Sequence, residues 1–329
     1  MKAITYSCYG PPNVLKVKDV EKPVPKDDEI LIKVQAVEVT KADCEMRSFK
    51  FPVKWFWLPL RCAFGLRKPK RQILGSYFSG EIVSMGKDVL NLSAGDEVFG
   101  AAQLRLGAYG EFVSLPASYT IVRKPENMNF EEAACVPLGG LNALHFMRLA
   151  NIQKGERILI NGAGGSIGAH AVQIAKSLGA EVTAVDKAIK KDFLLRMGVD
   201  AFIDYTKEDF SNGDKTYDVL FDMVPRSAYS KCINVLTPNG RYLSGNPNLA
   251  VMLRSFFTSR FTNKTARFAF AKETREELLT LKQMIEDGSI KPIVDRVYTM
   301  QAAPEAHHRV ETEERTGAIV IKIGDRQSD

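Results

Sequence analysis

Residues 157–187 constrain this chain more than any other stretch. They begin Arg157-Ile-Leu-Ile-Asn-Gly-Ala-Gly-Gly-Ser-Ile-Gly168, continue Ala169-His-Ala-Val-Gln-Ile-Ala-Lys-Ser-Leu-Gly179-Ala, and end Glu181-Val-Thr-Ala-Val-Asp-Lys187. The short apolar run 158–160 reads as a buried strand. After a glycine-rich turn, Ile167, Ala171, Val172, Ile174, Ala175 and Leu178 recur at helical spacing, and Gly179 closes the helix. A second strand at 182–185 ends on an acid. A strand–turn–helix–strand unit of this size is the half-module that binds a dinucleotide. Gly162 and Gly164 allow a turn that a Cβ would resist, and Gly165 lets a pyrophosphate approach the backbone. The N–H groups of the following helix, from Ser166 and Ile167 onward, would hold that anion. Gly168 lets the helix pack near the strand. Asp186 lies 18 residues beyond Gly168, close to the spacing of an acid that accepts from ribose hydroxyls. The bland alternative is a glycine-rich turn with no ligand.

At 329 residues the chain is longer than one core usually supports, so two domains are expected. Hydrophobic content of 45% with 26% charged residues places it among ordinary globular proteins. No run of 18 apolar residues occurs, and Met1-Lys-Ala-Ile-Thr-Tyr lacks a signal-peptide pattern, so no membrane span and a cytoplasmic location are expected. Cys8, Cys44, Cys62, Cys135 and Cys232 are scattered and form no Cys-x-x-Cys, which argues against both a disulfide framework and a structural zinc site.

The net charge of +6 is partly concentrated in two stretches, 54–71 and 254–270. There Arg61, Arg67, Lys68, Lys70, Arg71, Arg254, Arg260, Lys264 and Arg267 alternate with Trp55, Trp57, Phe64, Phe256, Phe257, Phe261 and Phe268. Such a mixture could contact RNA or an anionic membrane. The blander reading is a pair of segments covering an apolar cleft, which would suit a bulky apolar substrate. Neither stretch shows an uninterrupted amphipathic helix, and Pro52, Pro59 and Pro69 interrupt the first.

Taken in order, residues 1–123 read as strands and turns without alternating helices, a largely antiparallel β domain. Residues 130–150 read as a helix that Pro137 and Gly139-Gly140 break in two. Strands at 158–160, 182–185, 201–203, 219–221 and 241–243 then alternate with helices near 166–178, 188–197, 206–211 and 226–236. That alternation means a parallel, doubly wound sheet. Residues 249–271 read as an apolar, basic connection, and 273–287 as an amphipathic helix. A strand at 293–298, a helix at 304–311 and a strand at 317–323 return to the β domain. The expected architecture is α/β: a discontinuous β domain, 1–123 with 271–329, around a dinucleotide-binding domain, 124–270.

Several segments carry a family resemblance: Asp96-Glu-Val-Phe-Gly, Ala133-Ala-Cys-Val-Pro-Leu-Gly-Gly-Leu-Asn-Ala-Leu, Gly155-Glu-Arg-Ile-Leu-Ile-Asn-Gly-Ala-Gly-Gly-Ser-Ile-Gly and Lys291-Pro-Ile-Val-Asp-Arg. Together they resemble the medium-chain dehydrogenase/reductase superfamily and, within it, the zinc-independent quinone oxidoreductase branch. The resemblance implies a GroES-like β domain, a Rossmann domain, an active site in the cleft between them, and a homodimer. It further implies an NAD(P)H-dependent reductase of quinones or α,β-unsaturated carbonyls, with no nucleic acid as partner. Zinc-dependent relatives need a Cys where Thr40 stands and a His where Ser76 stands; Cys135 alone cannot hold the metal, so no metal is expected. Without a metal, an already electrophilic acceptor needs only a hydrogen-bond donor for its developing charge. Thr40, Lys41 and Tyr77 could each supply one, although Tyr77 could equally be a packed aromatic. Asn142 stands at a family cofactor position where Thr is usual, and Tyr205 matches a residue lining the adenosine side. Asp186 favours NADH by repelling a 2′-phosphate, whereas Lys190 matches a phosphate-binding lysine and favours NADPH. Lys190 could instead pair with Asp186 at i,i+4; the balance of charge leans slightly to NADH. Two other readings stay open: a dinucleotide-binding protein that contacts RNA or a membrane surface, and an alcohol dehydrogenase.

Overall fold

The structure is a computed structural model that describes residues 1–51, 57–225, 227–269 and 271–324. Trp55 lies outside the described residues. Two compact units divide the chain: Met1–Leu138 with Glu273–Glu286 and Pro292–Asp329, and Gly139–Lys272 with Asp287–Lys291.

The first unit begins with the antiparallel pair β1 (Lys2–Thr5) and β2 (Lys16–Asp19). The long strand β3 (Glu29–Val39) follows, then helices α1 (Lys41–Ser48) and α2 (Trp57–Phe64). Strands β4 (Tyr77–Met85), β5 (Glu97–Ala101), β6 (Phe112–Pro116) and β7 (Ile121–Arg123) come next, and α3 (Phe130–Ala134) leads out. β3 is buried along nearly its whole length because it pairs with β4 on one side and β6 on the other. Its Ile30, Ile32, Val34 and Val37 join Phe78, Val98, Leu115 and Ile319 in one core.

The helix expected at 130–150 is two, but the break falls at Cys135, before Pro137. Helix α4 (Val136–Ala150) takes Pro137 into its first turn, where no intrahelical N–H is lost. Gly139 and Gly140 continue α4. A Cβ on Gly139 would press into Ser166 and His170, so the residue is there for close approach, not to end the helix.

The second unit then alternates as expected: β8 (Arg157–Asn161), α5 (Ser166–Ser177), β9 (Glu181–Asp186), α6 (Lys191–Arg196), β10 (Ala201–Asp204), β11 (Tyr217–Asp222), α7 (Tyr229–Asn234) and β12 (Leu236–Ser244). No helix forms at 206–211. Asp204 and Asp209 instead accept from the backbone N–H groups two residues on, at Thr206 and Ser211, which stabilises turns. The expected connection at 249–271 is also revised. It contains α8 (Leu249–Phe261), capped by Asn248, and β13 (Thr265–Phe268), which pairs in parallel with β12. Strand order is β10-β9-β8-β11-β12-β13, all parallel, the doubly wound arrangement. Its apolar strand residues Leu159, Val185 and Leu220 lie in the core, as a sheet covered on both faces requires.

The chain returns to the first unit through α9 (Arg275–Glu286), β14 (Val294–Thr299), α10 (Ala303–Glu311) and β15 (Ala318–Lys322). β15 pairs antiparallel with β3, and β14 pairs in parallel with β15 at the sheet edge. The first unit's sheet is thus completed from both ends of the sequence. No helix among the described residues is long and apolar enough to cross a membrane.

α10 carries His307 into the core of the first unit, with its Nδ1 3.3 Å from Cys44 Sγ and its Nε2 2.9 Å from Tyr109 Oη. Burial, aided by the nearby Arg47 guanidinium, lowers its pKa from 6.5 to about 3, so the folded ring is neutral. The unfolded ring protonates below pH 6.5. Stability from this site is therefore complete above pH 6.5 and declines as pH falls toward 3, by at most about 1.4 kcal/mol per pH unit. His307→Gln should flatten the fall of the urea midpoint between pH 7 and pH 5; an equally steep fall would place the acid sensitivity elsewhere.

Candidate active site

The glycine turn joins β8 to α5. Gly162 has a φ of 88°, so the left-handed conformation expected at the first glycine is present. Gly164 lies outside that region and is needed for another reason: a Cβ there would press into the Lys190 side chain and lie 2.9 Å from Asp186 Oδ2. A Cβ on Gly168 would collide with the Gly162 carbonyl, which explains how closely the helix meets the turn. Gly165 is the N-cap of α5, and no side chain caps this helix. A Cβ on Gly165 would meet nothing within 4 Å, so the space over the helix end is open. The Ser166 hydroxyl is buried in the first turn with no hydrogen-bond partner among the described residues. An uncapped helix end, open space above it and an orphaned hydroxyl fit a bound pyrophosphate. Ile167 follows in the same turn.

Asp186 ends β9 beside this turn and is buried. Its Oδ2 accepts from Gly164 N at 2.7 Å and its Oδ1 from Lys187 N at 2.8 Å. Lys190 Nζ lies 3.1 Å from Oδ1, and both side chains are less than a tenth exposed. The i,i+4 pairing is therefore the arrangement present. The two residues that argue for different cofactors are bound to each other. Tyr205, after β10, is half exposed, and its backbone N–H donates to the Asp186 carbonyl at 3.3 Å. Asn142 is partly buried on α4.

Thr40, Lys41 and Tyr77 belong to the first unit. Thr40 is buried as the N-cap of α1 and forms a capping box with Asp43. Its Oγ1 accepts from Asp43 N at 3.0 Å and donates to Asp43 Oδ2 at 2.7 Å, so its proton is already committed. Asp43 Oδ1 also accepts from Gly75 N at 3.1 Å, which ties the α1 end to the segment entering β4. Burial raises the Asp43 pKa against these hydrogen bonds. Lys41 is exposed and pairs with Glu313 at 2.6 Å. Tyr77 begins β4, and its hydroxyl donates to Glu273 Oε1. Burial holds the Glu273 carboxyl above its usual range, against the lowering by Tyr77. Burial also raises the Tyr77 phenol well above 10, with the Glu273 charge adding to the shift.

The sequence reading missed Asp43 and Glu273. The Thr-x-x-Asp spacing signalled the first, whereas no local pattern marks the second, 196 residues from Tyr77. Cys44 is buried, and desolvation raises its thiol pKa strongly, the reverse of a reactive thiolate. Cys135 Sγ donates to the Glu131 carbonyl at 3.3 Å. Among the described residues, no group of three or more His, Cys, Asp or Glu is placed to hold a metal ion.

The buried Asp186–Lys190 pair makes a stability prediction. Lys190→Met leaves a buried carboxylate without its cation and should cost about 3 kcal/mol in urea unfolding. Adding Asp186→Asn should recover at least about 1 kcal/mol of that loss. Additive losses would mean that the two side chains do not interact.

Residues 26–126 match the family described as the alcohol dehydrogenase GroES-like domain, and residues 197–321 match the zinc-binding dehydrogenase family. Among curated proteins, the chain is 30% identical over 333 residues to the 2-methylene-furan-3-one reductase of Solanum lycopersicum. It is 31% identical over 334 residues to the NADPH-dependent alkenal/one oxidoreductase, chloroplastic, of Arabidopsis thaliana. Each alignment covers 98% of this chain and 79% of the relative. Among solved structures, the quinone oxidoreductase of Coxiella burnetii superposes with a TM-score of 0.86 at 28% identity, covering 98% of this chain and 99% of that one. Relatives along nearly the whole chain, a GroES-like sheet and a doubly wound parallel sheet agree: the chain belongs to the medium-chain dehydrogenase/reductase superfamily, in its quinone oxidoreductase-like branch.

Proposed function

We propose that this chain is a zinc-independent, NAD(P)H-dependent reductase of quinones or α,β-unsaturated carbonyls. The observation that carries the proposal is the uncapped N-terminus of α5, with open space over Gly165 and the orphaned Ser166 hydroxyl. The acceptor class is supported by the relatives, whose names describe reduction of enones, alkenals and quinones. Zinc independence rests on Thr40 and Ser76 standing where the zinc-dependent relatives need Cys and His. Zinc-dependent alcohol oxidation needs a metal ligand at position 40, and Thr40, committed to a helix cap, offers none.

When bound, the cofactor supplies a hydride. The turn 162–168 and the first turn of α5 hold its pyrophosphate, and Asn142 and Tyr205 flank it. Asp186 offers its carboxylate to the ribose hydroxyls. NADH leaves the Asp186–Lys190 pair intact. A 2′-phosphate would either draw Lys190 away from a buried carboxylate or sit beside that carboxylate's charge. NADH should therefore be preferred in kcat/KM by about tenfold, or ~1.4 kcal/mol.

Tyr77 is the residue we assign to the acceptor oxygen. A Glu273 carboxyl that holds a proton can donate to the phenol oxygen and release the Tyr77 O–H to stabilise charge on the substrate. Thr40 orients this region through Asp43, and Lys41 contributes positive charge at its margin. By resemblance to the family the chain is a homodimer, and the cytosol is the compartment we expect. A panel of quinones and enals with either cofactor, with and without chelator, tests the reading. No turnover by protein that binds the cofactor would overturn it.

Within that panel, Tyr77→Phe should lower kcat by about 10²-fold, the worth of one preorganised donor. Glu273 is protonated below its raised pKa, so kcat should decline as pH rises through that pKa. Glu273→Gln, whose amide still donates, should remove the decline. A wild-type profile kept unchanged in Glu273→Gln would exclude the relay.

A further inference from the structure

The strand order of the second unit reverses between β8 and β11. From β8 the chain moves outward to β9 and β10; from β11 it moves outward on the other side to β12 and β13. In a doubly wound sheet a dinucleotide lies across the carboxyl ends of the strands at that point, one mononucleotide half to each side. The glycine turn and Asp186 lie on the first side. The second side begins where β11 ends, at Asp222, Met223 and Val224.

Asp222 is buried there and pairs in register with Asn161 at the end of β8 and Ser244 at the end of β12. Its Oδ1 accepts from Ser227 Oγ at 2.8 Å, Asn161 Nδ2 at 3.0 Å and Val224 N at 3.1 Å, and its Oδ2 accepts from Tyr242 Oη at 3.0 Å. Asn161 Nδ2 also donates to Ser227 Oγ at 3.0 Å. Burial raises the carboxyl pKa, and the hydrogen bonds from Ser227, Val224, Tyr242 and Asn161 oppose that rise. An acid that only stitched the sheet would be met by groups within strands. Of these four donors only Tyr242 lies inside a strand; Asn161 ends β8 and immediately precedes Gly162, and Val224 and Ser227 lie beyond β11.

The segment so held borders the glycine turn. Met223 N donates to the Asn161 carbonyl at 3.1 Å, and Asn246 Nδ2 donates to the Met223 carbonyl at 2.8 Å. A Cβ on Gly162 would lie 3.5 Å from both Met223 Cβ and Val224 Cγ2. A Cβ on Gly245 would collide with Met223 Sδ, so the segment is packed from the β12 side as well. Val224 is nevertheless 39% exposed, an apolar side chain left open beside the turn.

We propose that Asp222 is a positioning residue for the nicotinamide half of the cofactor: through Val224 N, Ser227 and Asn161 it fixes the end of β11 against the glycine turn, and so sets the crevice that the second ribose enters. This inference rests on the dinucleotide reading of the site.

Calorimetric titration of the full chain with NADH and with ADP tests it. ADP carries the adenosine and the pyrophosphate but neither the second ribose nor the nicotinamide. Ser227→Ala removes one donor to Asp222 and should weaken NADH about fivefold while changing ADP by less than about twofold. Ser227→Thr keeps the hydroxyl and should return NADH to within about twofold of the parent. Asp222→Asn should weaken NADH by at least about tenfold, again sparing ADP; if that variant does not fold, the two Ser227 variants decide. A parent that binds both ligands, with variants that weaken both equally or neither, overturns this inference alone, because a role in the fold would not discriminate between them. A parent that binds neither ligand overturns the dinucleotide reading and this inference with it.

Discussion

Asp186 draws together the backbone that a dinucleotide would touch. Its carboxylate is buried at the end of β9, receives the N–H groups of Gly164 and Lys187, and faces the Lys190 ammonium. A carboxylate in that position must be satisfied, since an unpaired buried charge would cost several kcal/mol. Satisfying it fixes the middle of the glycine turn, the exit from β9 and the entry to α6. The turn in turn leaves the N-terminus of α5 uncapped and open. The acid that we propose for the ribose thus also holds the shape of the glycine turn.

The first unit uses a similar device for a different purpose. Asp43 accepts from Thr40 through both its backbone N–H and its hydroxyl, and also from Gly75 N, so one buried acid holds the start of α1 against the approach to β4. Tyr77, two residues beyond Gly75, then reaches Glu273, where the chain re-enters the first unit. Both ends of the Tyr77–Glu273 contact are partly buried, which favours the protonated carboxyl.

Much of the architecture was legible because its signals are local. Alternating apolar runs at 158–160, 182–185 and 219–221 became β8, β9 and β11, since a parallel sheet covered on both faces needs continuous apolar strands. The misreadings have physical causes as well. Residues 206–211 looked helical, but Asp204 and Asp209 bind nearby backbone N–H groups and stabilise turns. Residues 249–261 looked like a connection because their pattern faces outward, the reverse of the usual helix. Pro137 and Gly139-Gly140 looked like breakers, yet a proline is harmless in a first helical turn and Gly139 is there to let Ser166 and His170 approach.

By itself the sequence determined the family, the alternation of strands and helices from β8 to β12 and the place of the glycine turn, because glycine spacing and apolar periodicity act over a few residues. Only the tertiary structure decided how the charged groups are used. It paired Lys190 with Asp186, committed the Thr40 proton to Asp43, buried Cys44 and His307 together, and brought Glu273 to Tyr77 across 196 residues. Such pairings follow from burial, which sequence spacing does not reveal for residues far apart in the chain.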